Sequence, residues 1–267
     1  MSSRPGTVPA GFIEPCLPTV SPRPPIGTAW VHEIKHDGIR VITRKTQFGV
    51  RLYRRSGNDI AQRFPLIAET VARLPARSCI IDGEAVSCGD DGIAVFERIL
   101  YKRYDHTVFL YASDIIELNG EDLRPEPLEA RKATLGSLLT PAGIGVRLNE
   151  HLEHANGVHV FERACRMGLE GIVSKRKGSR YHSGRTLDWM KAKNPNAPAV
   201  TRLSREDWGG VGKVQILGLN PEQRSGSFSI SLRCGIGNSG CILYIPPARH
   251  RACPRCHRIR DICSCDR

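Results

Sequence analysis

Lys35 lies in the run EIKHDGIR (33–40), two residues ahead of an Asp-Gly pair, which places a primary amine beside the Asp37 carboxylate at a tight turn. The small Gly38 is expected to let the backbone approach a ligand closely there. A lysine amine is a nucleophile only when neutral, and with an ordinary pKa of about 10.4 keeping it neutral at pH 7 costs roughly 4–5 kcal/mol. Neighbouring cations or a bound metal would lower that cost, and the sequence supplies candidates for both. IIDGEAV (80–86) reads as an apolar strand whose two-residue alternation brings Asp82 and Glu84 to one face. Carboxylates fixed on a strand suit a hydrated Mg²⁺, which takes one or two protein oxygens and fills its other positions with water and phosphate. LEGIVSKR (169–176) brackets a second apolar strand with Glu170 and Lys175. DWMKAKNP (188–195) alternates Lys191 and Lys193 onto one face before Pro195 ends the strand. Two converging ammonium groups are costly in a core and favourable against phosphate. Arg55, in RRSGND, is a further candidate contact for phosphate or ribose. Taken singly, each motif has a plainer reading: a surface hairpin with a salt bridge at 33–40, or an edge strand with solvated acids at 80–86.

The whole chain favours the phosphate reading. Its 39 Lys and Arg residues exceed 27 acidic ones, giving a formal charge of +12. Basic residues also cluster: positions 175, 176, 177, 180, 185, 191 and 193 stand against the single acid Asp188. A cluster of that sign draws a polyanion because each neutralised phosphate releases counterions. At 40% hydrophobic and 25% charged residues, the 267-residue composition is that of a globular protein and excludes wholesale disorder. No apolar run approaches the ~20 residues needed to span a bilayer, and the N-terminus has no apolar core, so a cytoplasmic protein without a membrane is expected.

The elements that must carry these motifs fall in three blocks. Residues 1–29, rich in Pro and Gly, read as an extended lead-in laid over a surface. Residues 30–208 alternate strand and helix patterns. Strands are predicted over 30–35, 39–44, 50–54, 79–86, 108–117, 171–175 and 189–193, and helices over 64–74, 95–101, 128–139 and 158–167. Hairpins mixed with helices indicate an α+β fold rather than a doubly wound parallel sheet. Residues 209–267 lose this rhythm and become Gly-, Arg- and Cys-rich.

Five motifs in this order and spacing, together with FIEPCLP, ELNGEDLR and KNPNAPAV, resemble the adenylation (nucleotidyltransferase) domain of ATP-dependent DNA ligases, and most nearly that of the bacterial ligase D group of end-joining enzymes. The resemblance covers about residues 12–208. It implies an α+β, ATP-grasp-like domain of antiparallel sheets flanked by helices. It implies that Lys35 attacks the α-phosphate of ATP to form lysyl-AMP, with Asp37 beside it. Glu33 would read the adenine edge, Arg40 and Arg55 would contact ribose and phosphate, and Glu84 and Glu170 would bind ribose or Mg²⁺. Lys191 and Lys193 would grip the α-phosphate, with Lys175 also at the nucleotide. AMP would then pass to the 5′-phosphate of nicked or broken double-stranded DNA, for repair or recombination by a monomer, alone or with end-joining proteins. The alternatives are a partner-dependent or inactive ATP- or DNA-binding remnant, and an RNA ligase or capping-type nucleotidyltransferase.

Two departures from the family pattern stand out. The aromatic residue that stacks on adenine, immediately before the Asp of FLYASDII (109–116), is here Ser113; lost stacking is worth about 1–3 kcal/mol. Tyr111 and Phe109 share the Ser113 face by alternation but are displaced along the strand; Tyr111 is the nucleotide contact expected there. The family also carries a further C-terminal OB-fold, a pattern that residues 209–267 do not show; a partner supplying one is the corresponding expectation. That region instead holds Cys253, Cys256, Cys263 and Cys265, spaced C-x2-C-x6-C-x-C among arginines, for which either a tetrahedral Zn²⁺ site or reduced, loosely ordered thiols is expected.

Overall fold

The computed structural model describes residues 11–198. The strands are β1 (Cys16–Val20), β2 (Trp30–Ile34), β3 (Ile39–Thr46), β4 (Gly49–Arg54), β5 (Cys79–Val86), β6 (Phe109–Leu118), β7 (Glu121–Asp122), β8 (Val146–Leu148), β9 (His151–Leu152), β10 (Gly171–Arg176) and β11 (Gly184–Lys193). The helices are α1 (Pro65–Ala72), α2 (Phe96–Leu100), α3 (Leu128–Leu139) and α4 (Gly157–Arg166). They build two sheets. The first has the order β1-β11-β10-β2-β9, and the second β4-β3-β5-β6-β7 with β8 beside β6. All pairings are antiparallel except β1 with β11 and β6 with β8. The α+β expectation holds, with helices outside and the sheets facing each other.

Side-chain alternation sets the layers. On the second sheet Val41, Leu52, Ile81, Ala85, Leu110, Ala112 and Ile115 turn outward to pack with Phe64, Ile67 and Val71 around α1 and with Leu135 and Leu138 of α3. On the first sheet Ile172 and Ala192 face Val160 and Ala164 of α4. The facing sides meet through Ile42, Tyr53, Ile80, Ile116, Tyr181, Trp189 and Cys16. Burying an aliphatic or aromatic side chain contributes about 1.5–3 kcal/mol. This third cluster therefore fixes how the sheets lie across each other, and so which polar groups meet beyond its edge. Local signals place the ends of some elements: Pro65 starts α1 at a position that needs no N–H, and the Asn156 side chain caps α4 by accepting from Val158 N (3.1 Å) and His159 N (3.4 Å).

The Pro-rich lead-in contains a strand that its composition hides. Cys16–Val20 runs parallel to β11 at the sheet edge, with Cys16 opposite Gly184 and Val20 opposite Lys191. Pro18 is tolerated because an edge strand leaves one row of amides unpaired in any case. β11 is also longer than predicted, starting at Gly184, because β1 lines its first half and turns polar residues into ladder partners. No helix among the described residues is long and apolar enough to cross a membrane.

Candidate active site

The site lies on the facing sides of the two sheets, on the strands that also carry their shared apolar cluster. In antiparallel ladders residues directly opposite share a face. Val173 lies opposite both Glu33 and Lys191, and Gly171 lies opposite Lys193. The Lys35 amide donates to the Gly171 carbonyl at 3.0 Å and carries that row on to the nucleophile candidate. One face of the first sheet therefore presents Glu33, Lys35, Lys175, Lys191 and Lys193. On the second sheet Arg40, Glu84 and Tyr111 form one row, and Ile42, Asp82 and Asp114 the next. The membership of Ile42 in the inter-sheet cluster shows that these rows face the first sheet.

Glycine sets the spacing in two places. Gly171 has φ +142°, and a Cβ there would lie 2.0 Å from the Ala192 carbonyl oxygen, so only glycine allows β10 to approach β11 at the row that holds Lys35 and Lys193. At Gly38 a Cβ would stand 2.3 Å from the Ala85 carbonyl oxygen and 3.0 Å from Glu84 Cγ. The close approach expected at Gly38 is therefore made by β5 of the protein itself, which brings Glu84 under the turn that follows Lys35.

Lys35 Nζ donates to Glu170 Oε2 at 2.5 Å, across a half-buried contact. Burial pushes the Glu84 carboxyl up to about 7, against the pull of Arg40 and Lys35, while Glu170 and Asp82 add to the rise. Burial also lowers Lys191, and the nearby Lys193 and Lys35 ammonium groups lower it further. Arg40 grips Asp82 through Nε (2.6 Å) and Nη2 (2.7 Å), and the Tyr181 hydroxyl donates to the same carboxylate at 2.7 Å. Asp82, predicted to share a face with Glu84, thus orients Arg40 from a fully buried position. Asp37 sits half-buried in the β2–β3 turn, and Arg55 is exposed just beyond β4.

Behind Lys35 lies a buried polar network. Glu33 Oε1 is 2.9 Å from both Lys132 Nζ and Lys175 Nζ. Burial alone would raise the Glu33 pKa, but the two ammonium groups outweigh it and hold the carboxylate below its usual range. Lys175 is lowered by burial against the attraction of Glu33, and its Nζ lies 4.0 Å from the centroid of the Trp189 ring. Lys175 Nζ also donates to the Ser113 carbonyl at 3.0 Å, and Lys132 Nζ to the Asn149 carbonyl at 2.6 Å. Asn149 Nδ2 donates to Glu33 Oε2 (3.2 Å) and to the Ile34 carbonyl (3.3 Å). Below this network Arg131 makes a fully buried two-pronged pair with Asp114 at 2.8 and 2.9 Å.

Residues 24–193 match the ATP dependent DNA ligase domain. The chain belongs to that family. It is 33% identical over 190 residues to the multifunctional non-homologous end joining protein LigD of Pseudomonas aeruginosa, covering 68% of this chain and 22% of that protein. It is 30% identical to the SPbeta prophage-derived DNA ligase-like protein LigB of Bacillus subtilis, covering 68% of each. A solved mycobacterial DNA ligase D complexed with ATP and MES superposes with a TM-score of 0.60 at 28% identity, covering 68% of this chain and 60% of that one. The chain thus spans about a fifth of the length of the end-joining relative.

Within this ligase domain, alternation alone misplaces the face that holds Ser113. The β5–β6 register shifts between Asp82 and Gly83, leaving Ser113 as the extra residue of a bulge, so that Ala112 and Ile115 both reach the outer core. The Ser113 hydroxyl donates to the Asp82 carbonyl at 3.1 Å. Tyr111 carries its own ring partner, His36, stacked at 3.8 Å between centroids and 7° between planes. The motifs gave no sign of three residues here: Lys132, Asn149 and His36. Lys132 had a readable signal, since Leu128, Arg131, Lys132, Leu135, Leu138 and Leu139 follow the 3–4 spacing of one buried helix face. Asn149 has no sequence signal. The Cys253, Cys256, Cys263 and Cys265 cluster lies outside the described residues; among those described, no group of three or more His, Cys, Asp or Glu side chains could hold a metal.

Proposed function

We propose that this ligase domain adenylylates itself on Lys35 and passes the AMP to the 5′-phosphate of nicked or broken double-stranded DNA. The observation that carries this reading is the contact of Lys35 Nζ with Glu170 Oε2 at 2.5 Å, on the strand face that also bears Lys191 and Lys193 and opposite Arg40 and Glu84. Glu170 is the acceptor already in contact with the Lys35 proton. Once that proton leaves, the Nζ lone pair attacks the α-phosphorus of ATP, the bond to the bridging oxygen breaks, and pyrophosphate departs with the electron pair. Such transfers depend on in-line positioning and on neutralising oxygen charge, which Lys191, Lys193 and Arg40 supply from fixed strands. The 5′-phosphate then takes the AMP from Lys35, and the adjacent 3′-hydroxyl displaces AMP to close the strand.

Glu84 and Glu170 fit a Mg²⁺ that is shared with substrate phosphate. The Glu84 carboxyl, raised by burial and by the nearby Glu170, would gain from a cation beside it, and Mg²⁺ needs only one or two protein oxygens. When bound, the ion neutralises phosphate charge beside Lys35. The clustered cations at 175–193 suit a DNA backbone. Action in the cytoplasm, cooperation with end-joining proteins and completion by a partner OB-fold belong to the same reading.

Incubation of the chain with α-labelled ATP and Mg²⁺ tests it. Label should stay on the denatured protein and vanish in Lys35→Ala, and nicked DNA should discharge it in preference to nicked RNA. A folded chain that takes no label, or Lys35→Ala that keeps it, overturns the proposal.

A further inference from the structure

Tyr181 joins the lead-in strand to Arg40, the cation that faces the nucleophile from the second sheet. Its backbone N–H donates to the Arg124 carbonyl at 2.9 Å, its ring meets Trp189 edge-on at 5.9 Å between centroids, and the residue is buried. With the ring held there, the hydroxyl has two partners and a fixed polarity. The Cys16 amide of β1, at 2.9 Å, can only donate, and the Asp82 carboxylate, at 2.7 Å, can only accept. The phenol proton therefore points at Asp82. Burial first, and the Asp82 charge after it, push the hydroxyl well above its usual range, so that proton stays in place. Asp82, fully buried, completes the chain by accepting from Nε and Nη2 of Arg40 at 2.6 and 2.7 Å. This two-pronged pair occupies one edge of the guanidinium and leaves Nη1 outside it. A long side chain of this kind has many rotamers to lose, and a carboxylate fixed by a third donor selects one of them.

We propose that Tyr181 is a positioning residue for adenylylation: its hydroxyl, clamped between the Cys16 amide of β1 and the Asp82 carboxylate, holds Arg40 in the pose that meets ATP. The inference rests on the ATP-dependent reading above, in which Arg40 supplies charge to the nucleotide. Without the hydroxyl, Asp82 keeps both oxygens on Arg40 but loses the donor that sets its own plane, and the Cys16 amide loses its acceptor. The carboxylate can then turn and carry the guanidinium with it, and a misplacement of about 1 Å in a positioning group costs up to about a hundredfold. The Pro-rich lead-in thereby takes part in nucleotide binding through a backbone amide, whatever side chain stands at position 16.

Single-turnover labelling of the full chain by α-labelled ATP with Mg²⁺ tests this, read as the ATP concentration at half-maximal rate and the final labelled fraction. Tyr181→Phe keeps the ring against Trp189 and removes only the hydroxyl. It should raise half-saturating ATP about tenfold, the share of one charge-assisted hydrogen bond, and leave the labelled fraction unchanged. In an Arg40→Ala chain the same change should move half-saturation by less than about twofold, because its route to ATP is already gone. A loss of labelled fraction at unchanged half-saturation, or an equal shift in both backgrounds, makes Tyr181 merely structural and overturns the proposal. Thermal melts confirm that each variant is folded. Hydrogen exchange in the parent chain needs no variant: the Cys16 amide should exchange at least about a hundredfold more slowly than an open amide, and exchange at the open rate overturns the clamp. A parent chain that takes no label overturns the ligase reading instead; equilibrium ATP binding by the same four chains then reads the same shifts and settles the role of Tyr181.

Discussion

Lys132→Met tests whether the network behind the nucleophile works as described. Lys132 and Glu33 are 4% and 2% exposed, and their charges lie 2.9 Å apart. Removing one partner of a buried pair costs about 3–5 kcal/mol because the other charge stays buried. Here Lys175 still holds Glu33 at 2.9 Å, which brings the electrostatic loss toward the lower end of that range. The Asn149 carbonyl also loses its donor at 2.6 Å, whereas the Ser113 carbonyl keeps Lys175 at 3.0 Å. Met fills most of the lysine volume and limits the cavity contribution. The net expectation is about 3 kcal/mol, or about 6–12 °C in melting temperature at 2–4 °C per kcal/mol for a unit of this size. Thermal melts followed by circular dichroism read the shift. Adding Glu33→Gln should cost less than the sum of the two single changes, since the charge that needed Lys132 is gone. A melt within 2 °C of the parent, or strict additivity in the double variant, would refute the network.

Glu84 supplies a pH dependence of known sign. Its folded pKa of about 7 lies above the ordinary 4.5, so between those values the folded chain keeps a proton that the unfolded chain has lost, and stability falls as pH rises. Glu84→Gln should therefore melt like the parent near pH 4.5 and several degrees higher at pH 8; an equal shift at both pH values would show that the carboxyl is not proton-loaded. Gly171→Ala must either give up φ +142° or push β10 away from the Ala192 carbonyl, at a cost of about 3 kcal/mol or more. It should lower the melting temperature and the yield of lysyl-AMP together, and a variant that folds and labels like the parent would contradict the tight row at Lys35.

Much of this arrangement was legible because strands alternate with period two. EIKHDGIR, IIDGEAV, LEGIVSKR and DWMKAKNP each fell on or beside a predicted strand, and Glu33, Asp82, Glu84, Lys175, Lys191 and Lys193 reached the inter-sheet side as the alternation required. Position along a strand can be read locally, whereas pairing across the chain cannot. β1 was invisible because its partner β11 is remote in sequence, and Pro18 argues against any strand that is not at an edge. The Ser113 bulge follows from how β5 and β6 align, which neither strand encodes by itself. Lys132 could have been found, since a cation at i+4 of an apolar stripe must be buried and so must have a counter-charge nearby. The His36 stack and the hydrogen bonds of Asn149 join residues from separate elements and arise only once the sheets are assembled.

The order in which the strands enter the first sheet also governs how the protein can be made. β1 and β2 leave the ribosome first, yet their neighbours β9, β10 and β11 come last, after the whole second sheet has been synthesised. β2, which leads into Lys35, must wait with its edges unpaired while more than a hundred residues follow. Long-range pairing of that kind closes slowly and leaves strand edges open to other chains in the meantime. Once β11 has threaded between β1 and β10, the same topology ties the two ends of the domain together, and the nucleophile is assembled only when synthesis of the domain is complete.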